Sequence, residues 1–533
     1  MTANPPSTDY KVVWEPIPDS SQELAIDSPC DHTLYHGTRG PGKTATQLMR
    51  FRRYVGLGYG KYWRGVIFDK EYKHLGDIIE QSKKFFGLFE DGAKFLASAS
   101  ELKWVWPTGE ELLFRHVKKE SDYDSFHGHE YPFIGWNELT KHPTPKLYDK
   151  LMSTNRTSFL SWKHTPHDEV QPNTDNAFLC DDGIWRLYHT DDFLCLPAIP
   201  LQCFSTTNPN GPGHNWVKRR FIDPAENGQI VKVETVVFDP RIQAERTVTK
   251  TQVAIFGSYK ENIYLTAEYI AELDRLTKND ENLKRAWLFG DWDVTAGGAL
   301  DDLWHSKVHI LPRFPVPSSW RVDRAFDWGS THPFSVGWFA EANGEEAEII
   351  ADGKRYTFCP PAGTLIQIYE WYGTKEIGLN EGLKLSAREI ALGIIDREVS
   401  MMANGWIEEQ PYGGPADNQI SNVTESESDT IAKKMEDEGI KWTESNKSPG
   451  SRKNGLQLIR ERLAASISGE GPGIYFMRNC QASIEILPSL QRDEKDLDDV
   501  DTTQEDHPYD VVRYRVLKSD NRAGGSVKVK FGS

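Results

Sequence analysis

The chain is poor in cysteine and has no two cysteines set a CxxC step apart. Cys30, Cys180, Cys195, Cys203, Cys359 and Cys480 stand singly, which excludes a CxxC zinc site and a disulfide framework and fits a reducing cytosol. Long apolar runs are missing too. No stretch approaches the roughly 20 residues a membrane helix needs, and the opening MTANPPSTDYK lacks a basic segment followed by an apolar one. Positive charge is also short, with 62 Lys and Arg against 79 Asp and Glu, a net −17. That balance argues against a protein that coats DNA over its whole surface, but it leaves room for a local basic groove. Core-forming material is ample: 38% of residues are hydrophobic, 17 of them Trp, in 533 residues, too many for one ordinary core. A soluble, intracellular protein of two or three domains is expected, with no membrane partner.

The stretch His36-Gly37-Thr38-Arg39-Gly40-Pro41-Gly42-Lys43-Thr44 reads GxxxxGKT. Before it, Thr33-Leu34-Tyr35 suits a buried strand. After it, Ala45 to Tyr54 carries Leu48, Met49 and Phe51 on one helical face until Gly56 and Gly58 end the helix. A strand, a glycine turn and a helix N-terminus aim several backbone N–H groups at one point, where a nucleotide's phosphates can sit. Lys43 would reach the β- and γ-phosphates, and the Thr44 hydroxyl would help hold Mg²⁺. The plainer alternative is a glycine-rich turn that matches the pattern by chance; strand and helix in the required places favour nucleotide binding.

Upstream, residues 1–30 are loop-rich, and Gln22 is placed where an amide could read an adenine edge, although most surface glutamines have no such role. Downstream, Gly65 to Phe68 reads as a second strand, Leu75 to Phe86 as a helix, and Trp104 to Trp106 with Leu112 to Phe114 as a hairpin across Pro107-Thr108-Gly109. The apolar run Tyr131 to Trp136 ends in Asn137-Glu138. In P-loop ATPases such a strand is expected beside the P-loop strand, with an acid for Mg²⁺ and a glutamate that orients the attacking water. Glu138 fits the second role; Asn137 is neutral where an Asp is usual. A strand over Leu201 to Ser205 leads into Thr206-Thr207-Asn208, polar groups suited to sensing a γ-phosphate. Gly213 to Arg220 is a basic helix start, Ala267 to Leu276 a helix, and residues 295–320, with Gly297-Gly298 and three prolines, a linker.

In the second half, Val322 to Asp327, Phe334 to Phe339 and Leu365 to Trp371 read as three antiparallel strands. A helix from Ser386 to Ala403, a strand at Trp406-Ile407 leading to Gly413-Gly414-Pro415-Ala416-Asp417, two helical stretches, a strand at Ile474 to Phe476 and a last helix follow. This is the order of a ribonuclease-H-like domain. There, carboxylates at strand ends and on the last helix converge on two metal ions; Asp327, Asp417 and Asp510 hold those positions, and oxygen ligands suit Mg²⁺ or Mn²⁺. Asp506, His507 and Asp510 fall on one face of a helix, with His507 either a ligand or a group behind one. Any one of these acids alone would more simply be a solvated surface residue.

Taken together, LYHGTRGPGKT (34–44), FIGWNELT (133–140), STTNPNGPGHNW (205–216), FGDWD (289–293), FDWG (326–329), GPAD (414–417), SPGSR (448–452) and DHPYDVVRY (506–514) resemble the large terminase subunit of tailed bacteriophages. The resemblance implies an α/β chain in two parts: a P-loop ATPase domain over 1–296, with a mostly parallel sheet and helices on both faces, and a ribonuclease-H-like endonuclease over 321–517. Residues 297–320 would link them and 518–533 form a tail. It further implies ATP with Mg²⁺ at Gln22, Gly37 to Thr44, Asn137, Thr207 and Asn208. Gln22 would contact adenine, Arg39 matches the arginine common in these P-loops, and Thr206-Thr207-Asn208 would couple hydrolysis to movement. Glu138 and Lys43 would be catalytic in the first part, and Asp327, Asp417 and Asp510 in the second. Expected partners are double-stranded DNA, the portal protein, the small terminase subunit and further copies in a ring on the prohead, in the cytoplasm of an infected bacterium. Arg156 is a candidate for completing a neighbour's ATP site. Two other classes fit parts of the sequence: a P-loop helicase or repair ATPase, and a packaging ATPase whose second half only docks.

Overall fold

The structure is a computed structural model that describes residues 12–98, 101–164, 177–179, 185–187, 196–239, 243–278, 281–293, 298–351, 353–422, 429–493, 496 and 498–523. Cys180, Cys195, Gly297 and residues 524–533 lie outside that set. The chain divides into two compact units, Met1–Val294 and Thr295–Ser533, and both are α/β, as expected.

The first unit is built on a nine-stranded sheet. Its strands are β1 (His32–Gly37), β2 (Arg64–Asp69), β3 (Lys94–Leu96), β4 (Lys103–Val105), β5 (Glu111–His116) and β6 (Phe133–Trp136). A separate small hairpin, β7 (Ala177–Leu179) with β8 (Trp185–Leu187), intervenes before β9 (Gln202–Thr206), β10 (Val231–Asp239) and β11 (Ala244–Gly257). The order is β10-β11-β1-β9-β6-β2-β5-β4-β3. All pairs from β11 through β5 are parallel, and both edges are antiparallel. Period-two alternation sends Tyr35, Ile67, Phe133, Phe204 and Ile255 into a core beneath the helices Lys43–Arg52 and Leu75–Phe86. Leu34, Val66, Ile134, Cys203 and Ala254 enter the opposite core with Leu147, Tyr148 and Val217 from helices on the other face. Parallel strands buried on both faces need this double cover.

Two features correct the expectations. The β6 strand does not lie beside β1, because β9 stands between them, pairing Cys203 with His32 on one side and with Ile134 on the other. All five residues of β9 are buried, so it takes a central place and carries Thr206 to the middle of the sheet's working edge. The hairpin β10–β11 was not anticipated: its polar Thr, Lys and Glu residues hide the strand signal, yet β11 runs 14 residues and pairs with the P-loop strand over six positions.

In the second unit the seven-stranded sheet runs β12-β20-β17-β14-β13-β18-β19. These are β12 (Ile310–Leu311), β13 (Arg321–Asp327), β14 (Ser335–Glu341), β17 (Leu365–Tyr372), β18 (Pro415–Ala416), β19 (Thr443–Glu444) and β20 (Ile474–Met477), with a side hairpin β15 (Ala347–Ala351) and β16 (Lys354–Phe358). The pairs β13–β14 and β14–β17 are antiparallel, while β18 joins β13 and β20 joins β17 in parallel, the ribonuclease-H-like arrangement. Phe326, Trp338 and Ile366 pack under the helix Ala387–Ala403. Ala325, Phe339 and Leu365 pack on the other face with the helices Ser451–Ser468 and His507–Ala523.

Trp406-Ile407 is not the expected strand. Ile407 is a buried anchor, the Trp406 ring lies 3.9 Å from the Arg313 guanidinium, and its carbonyl accepts from Val316 N–H at 2.9 Å; the ladder at that place is made by β18. Within the stretch read as a linker, Ala299, Leu300, Phe314 and Val316 are buried in the second unit's cores and β12 pairs with β20. The last helix continues past 517 to Ala523. Among the described residues no helix is long and apolar enough to cross a membrane.

Candidate functional site

The first site is set by backbone geometry at the end of β1. Gly37 has φ +124° and lies so close to β11 that a β-carbon there would fall 2.2 Å from the Gly257 carbonyl oxygen. Gly42, at φ +92°, begins the helix Lys43–Arg52 with no side chain capping it, which leaves the helix's first N–H groups for a ligand. The Thr38 amide donates to Gly257 O at 2.9 Å, and the Tyr259 amide to Thr38 Oγ1 at 2.6 Å. Asn262 Nδ2 holds the Gly40 carbonyl at 2.6 Å, and Tyr35 Oη donates to Pro41 O at 3.3 Å. The turn is thus fixed by its neighbours.

Lys43 is buried, and its ammonium donates to Thr38 O at 2.6 Å and Asn208 Oδ1 at 2.9 Å. Burial pushes its pKa down to about 8, against the attraction of Glu138. Asn208 turns its other end to Glu138, donating from Nδ2 at 3.3 and 3.4 Å. Lys43, Asn208 and Glu138 therefore form one polar chain across a cleft of about 1030 Å³, which Gln22, Arg39 and Thr44 also line. Glu138 follows β6 in the left-handed region, at φ +56°, its amide 3.4 Å from Thr206 Oγ1. Thr207 ties the two strand ends together: its amide donates to Tyr35 O at 3.2 Å and its hydroxyl meets Thr140 Oγ1 at 2.7 Å. Gln22 is buried, its Oε1 accepting from Ile17 N–H at 2.9 Å. A buried cation, an uncapped helix start and a cleft of this size fit a nucleoside triphosphate with its magnesium.

Asn137 is not among the residues that line the cleft. Its Nδ2 donates at 2.7 Å to Asp69, a fully buried carboxylate at the end of β2 that also holds Lys141 Nζ at 3.0 Å and faces His74 Nδ1 at 3.3 Å. The residue read as standing in the Mg²⁺-acid position thus belongs to a polar knot around Asp69, which touches the cleft through Lys141. Asp69 escaped the sequence reading, although an acid closing the apolar run Gly65 to Phe68 was a visible signal. Arg39 lies with its guanidinium 3.3 Å from the centroid of the Trp287 ring, another residue not singled out. Arg156 is exposed, donating to Gly128 O at 3.0 Å.

The second site lies at one end of the second sheet. Phe326 and Ala416 pair in parallel, so Asp327 and Asp417 end adjacent strands, and the Asp417 amide donates to Phe326 O at 3.0 Å. The helix His507–Ala523 packs on β13 and brings Asp510. Each carboxylate has a basic partner from the chain. Asp327 meets His507 Nδ1 at 2.9 Å, Asp417 meets Lys447 Nζ, and Asp510 accepts from Arg513 Nη2 at 2.9 Å. Tyr514 Oη also donates to Asp327 at 3.3 Å. Burial raises the Asp327 pKa to about 6 and that of Asp506 to about 8, with the charge of Asp510 adding to both. Burial works against a charged His507, but the hydrogen bond and charge of Asp327 outweigh it and raise its pKa.

Among the described residues, no three His, Cys, Asp or Glu side chains are arranged to hold a metal ion. The paired bases account for that: the carboxylates are turned to Lys447, Arg513 and His507 rather than to one another. The donor set still fits a hard divalent cation, since Asp327 and Asp506 are buried carboxylates with raised pKa values, which such an ion would relieve. Asp327, Asp417 and Asp510 are brought to one end of the sheet, with Asp506 and His507 at the start of the last helix.

The chain is similar to the large terminase of a thermophilic bacteriophage in complex with ADP, at 15% identity over 93% of this chain and 98% of that one, TM-score 0.34. It is similar to the HK97 bacteriophage large terminase, at 9% identity over 93% and 94%, TM-score 0.41, and to the P22 large terminase nuclease domain, at 12% identity over 42% and 93%, TM-score 0.29. A search of curated proteins finds no match. A family model described as "Terminase large subunit, T4likevirus-type, N-terminal" matches residues 34–306. With more than half of its 533 residues inside that match, from the P-loop strand to beyond FGDWD, the chain belongs to the terminase large-subunit family.

Proposed function

We propose that this protein is the motor and cutter of viral DNA packaging, driving double-stranded DNA into a prohead by ATP hydrolysis and cutting concatemeric DNA. The observation that carries the motor half is the chain Lys43–Asn208–Glu138 across the cleft. ATP phosphates would take the place of Thr38 O and Asn208 at Lys43, so binding frees the Asn208 amide to respond. Glu138 then orients the attacking water, and Lys43 and the helix N–H groups stabilise charge on the transferred phosphoryl group. Thr44 would hold Mg²⁺, which supplies further neutralisation of phosphate charge. Thr207 and Asn208, just past the end of the strand that lies between β1 and β6, would pass the state of the γ-phosphate into the sheet.

In the second unit Asp327, Asp417 and Asp510 would hold two Mg²⁺ or Mn²⁺ ions, with Asp506 and His507 beside them. Such ions, when bound, supply Lewis acidity at a scissile phosphodiester. His507 and Tyr514 fix the orientation of Asp327 through their hydrogen bonds. The partners are double-stranded DNA, gripped mainly at its phosphates and so salt-sensitively, the portal protein, the small terminase subunit and further copies in a ring. The site of action is the cytoplasm of the infected bacterium and, transiently, the portal.

The test is ATP-dependent filling of purified proheads. Lys43→Ala should abolish ATP hydrolysis and filling while sparing metal-dependent cutting, and Asp327→Ala should abolish cutting while sparing hydrolysis. Loss of both activities from either change, with circular dichroism unchanged, would refute two separable sites. The pairing of Asp327, Asp417 and Asp510 each with a base favours a second reading, in which the second unit only docks. No nicking by the full chain at any Mn²⁺ concentration would establish that reading instead.

A further inference from the structure

Four contacts, between three pairs of residues, join the P-loop to the segment Arg285 to Trp292. The Arg39 guanidinium lies 3.3 Å from the centroid of the Trp287 ring, and the Arg39 amide donates to the Trp287 carbonyl at 2.9 Å. Gly290, at φ +64°, lies so near Gly37 that a β-carbon on it would come within 3.0 Å of the Gly37 backbone. Trp292 Nε1 donates to His36 Nδ1 at 3.0 Å. The indole Nε1 of Trp287 is buried with no hydrogen-bond partner, so the ring is not held there for its N–H. What it offers is its face.

We propose that Trp287 is a positioning residue of the nucleotide site, holding Arg39 for the phosphates. Stacking uses the π face of a guanidinium and leaves its five N–H donors in the plane, where phosphate oxygens accept them. Arg39 lines the cleft that a triphosphate would fill. The stack also prevents a competing arrangement. Arg39 and Glu138 attract each other, and an arginine freed from Trp287 would close onto the carboxylate that must orient water. Lys43, its neighbour in the cleft, repels Arg39 and is itself drawn to Glu138. Trp287 thereby keeps the cation and the water-orienting acid apart until phosphate separates them.

This inference rests on the reading of the cleft as an ATPase site, and the experiment distinguishes the two. In the full chain, Trp287→Ala should lower kcat for ATP about tenfold to a hundredfold with KM changed by no more than about threefold, because the lost interaction belongs to the transition state. Trp287→Phe, which keeps an aromatic face, should restore most of the loss. Arg39→Ala should match Trp287→Ala, and the double variant should be no slower than Arg39→Ala alone. As a readout independent of turnover, the 5-fluorotryptophan resonance assigned by Trp287→Phe should move on adding ADP in the wild type and stay still in Arg39→Ala. Multiplying losses in the double variant, or a resonance that moves equally without Arg39, would overturn the proposal. A wild type that hydrolyses no ATP would sink the ATPase reading, leaving the fluorine measurement to decide the contact.

Discussion

At the first unit's cleft one buried ammonium, Lys43, is shared between a carbonyl and an amide, neither of them charged. At the second unit's sheet end three carboxylates are each matched by a basic side chain. A neutral partner gives way readily to a phosphate, so the first site is ready-made for an anion. A charged partner must be displaced, so the second site already carries its own counter-cations and would meet any metal in competition. The contrast follows from how the groups are held. Backbone N–H groups and glycines at +φ fix the first site from the main chain, whereas the second depends on long side chains that can swing.

Four changes would break or sharpen that contrast. Glu138→Gln should cut ATP turnover about 10³-fold while nucleotide binding and metal-dependent nicking persist. A parallel fall in nicking would show that the sites are not independent. Next is pH. Burial lowers His36 and His142 in the first unit to about 3, so their contribution is present above the unfolded value near 6.5 and is lost as pH falls below it. Burial raises Glu370 in the second unit to about 7, so its contribution is fully present below the unfolded value near 4.5 and is lost as pH rises through 7. From pH 7 to pH 5 the first unit's calorimetric transition should drop by roughly 5 °C, and Glu370→Gln should remove an opposing rise in the second. Transitions that move together would contradict the assignment.

Asn137→Asp, which restores the acid usual at that position, should destabilise by about 2 kcal/mol, because it sets a second carboxylate against buried Asp69. Denaturant titration measures this, and a stabilised variant would mean that Lys141 and His74, which also face Asp69, offset the repulsion. The smallest effect is at Lys447. Its side chain is 35% exposed, so the pair with Asp417 is worth about 1 kcal/mol or less, and Lys447→Ala should tighten Mn²⁺ binding about fivefold by calorimetry. Weaker binding would mean that Lys447 organises the site rather than blocks it.

Much of the fold could be read from local chemistry. The helix Leu75–Phe86 falls where its apolar period placed it, and the helix after Ser386 starts with the capping box of Ser386 and Glu389 that its spacing allows. The P-loop was legible because its glycines, lysine and threonine act within nine residues. The hairpin β10–β11 was not, since β10 and the first half of β11 stand exposed and only the end of β11 is buried, so no sustained apolar alternation marks the pair. Nor was the place of β9, because strand order depends on which neighbours a ladder finds, and those lie far away in sequence.

The sequence by itself determined the phosphate-gripping turn, the acid that ends β6, the three acids of the second unit and the two α/β units that carry them. These depend on residue type and short spacing. Only the tertiary structure decided that Asn137 turns to Asp69, that Arg39 lies on Trp287, and that Asp327, Asp417 and Asp510 each face a base. Those are contacts between residues 68 to 248 positions apart at the first site and as close as three at the second. A charged or amide side chain takes whichever partner burial brings within reach, and burial is a property of the packed chain.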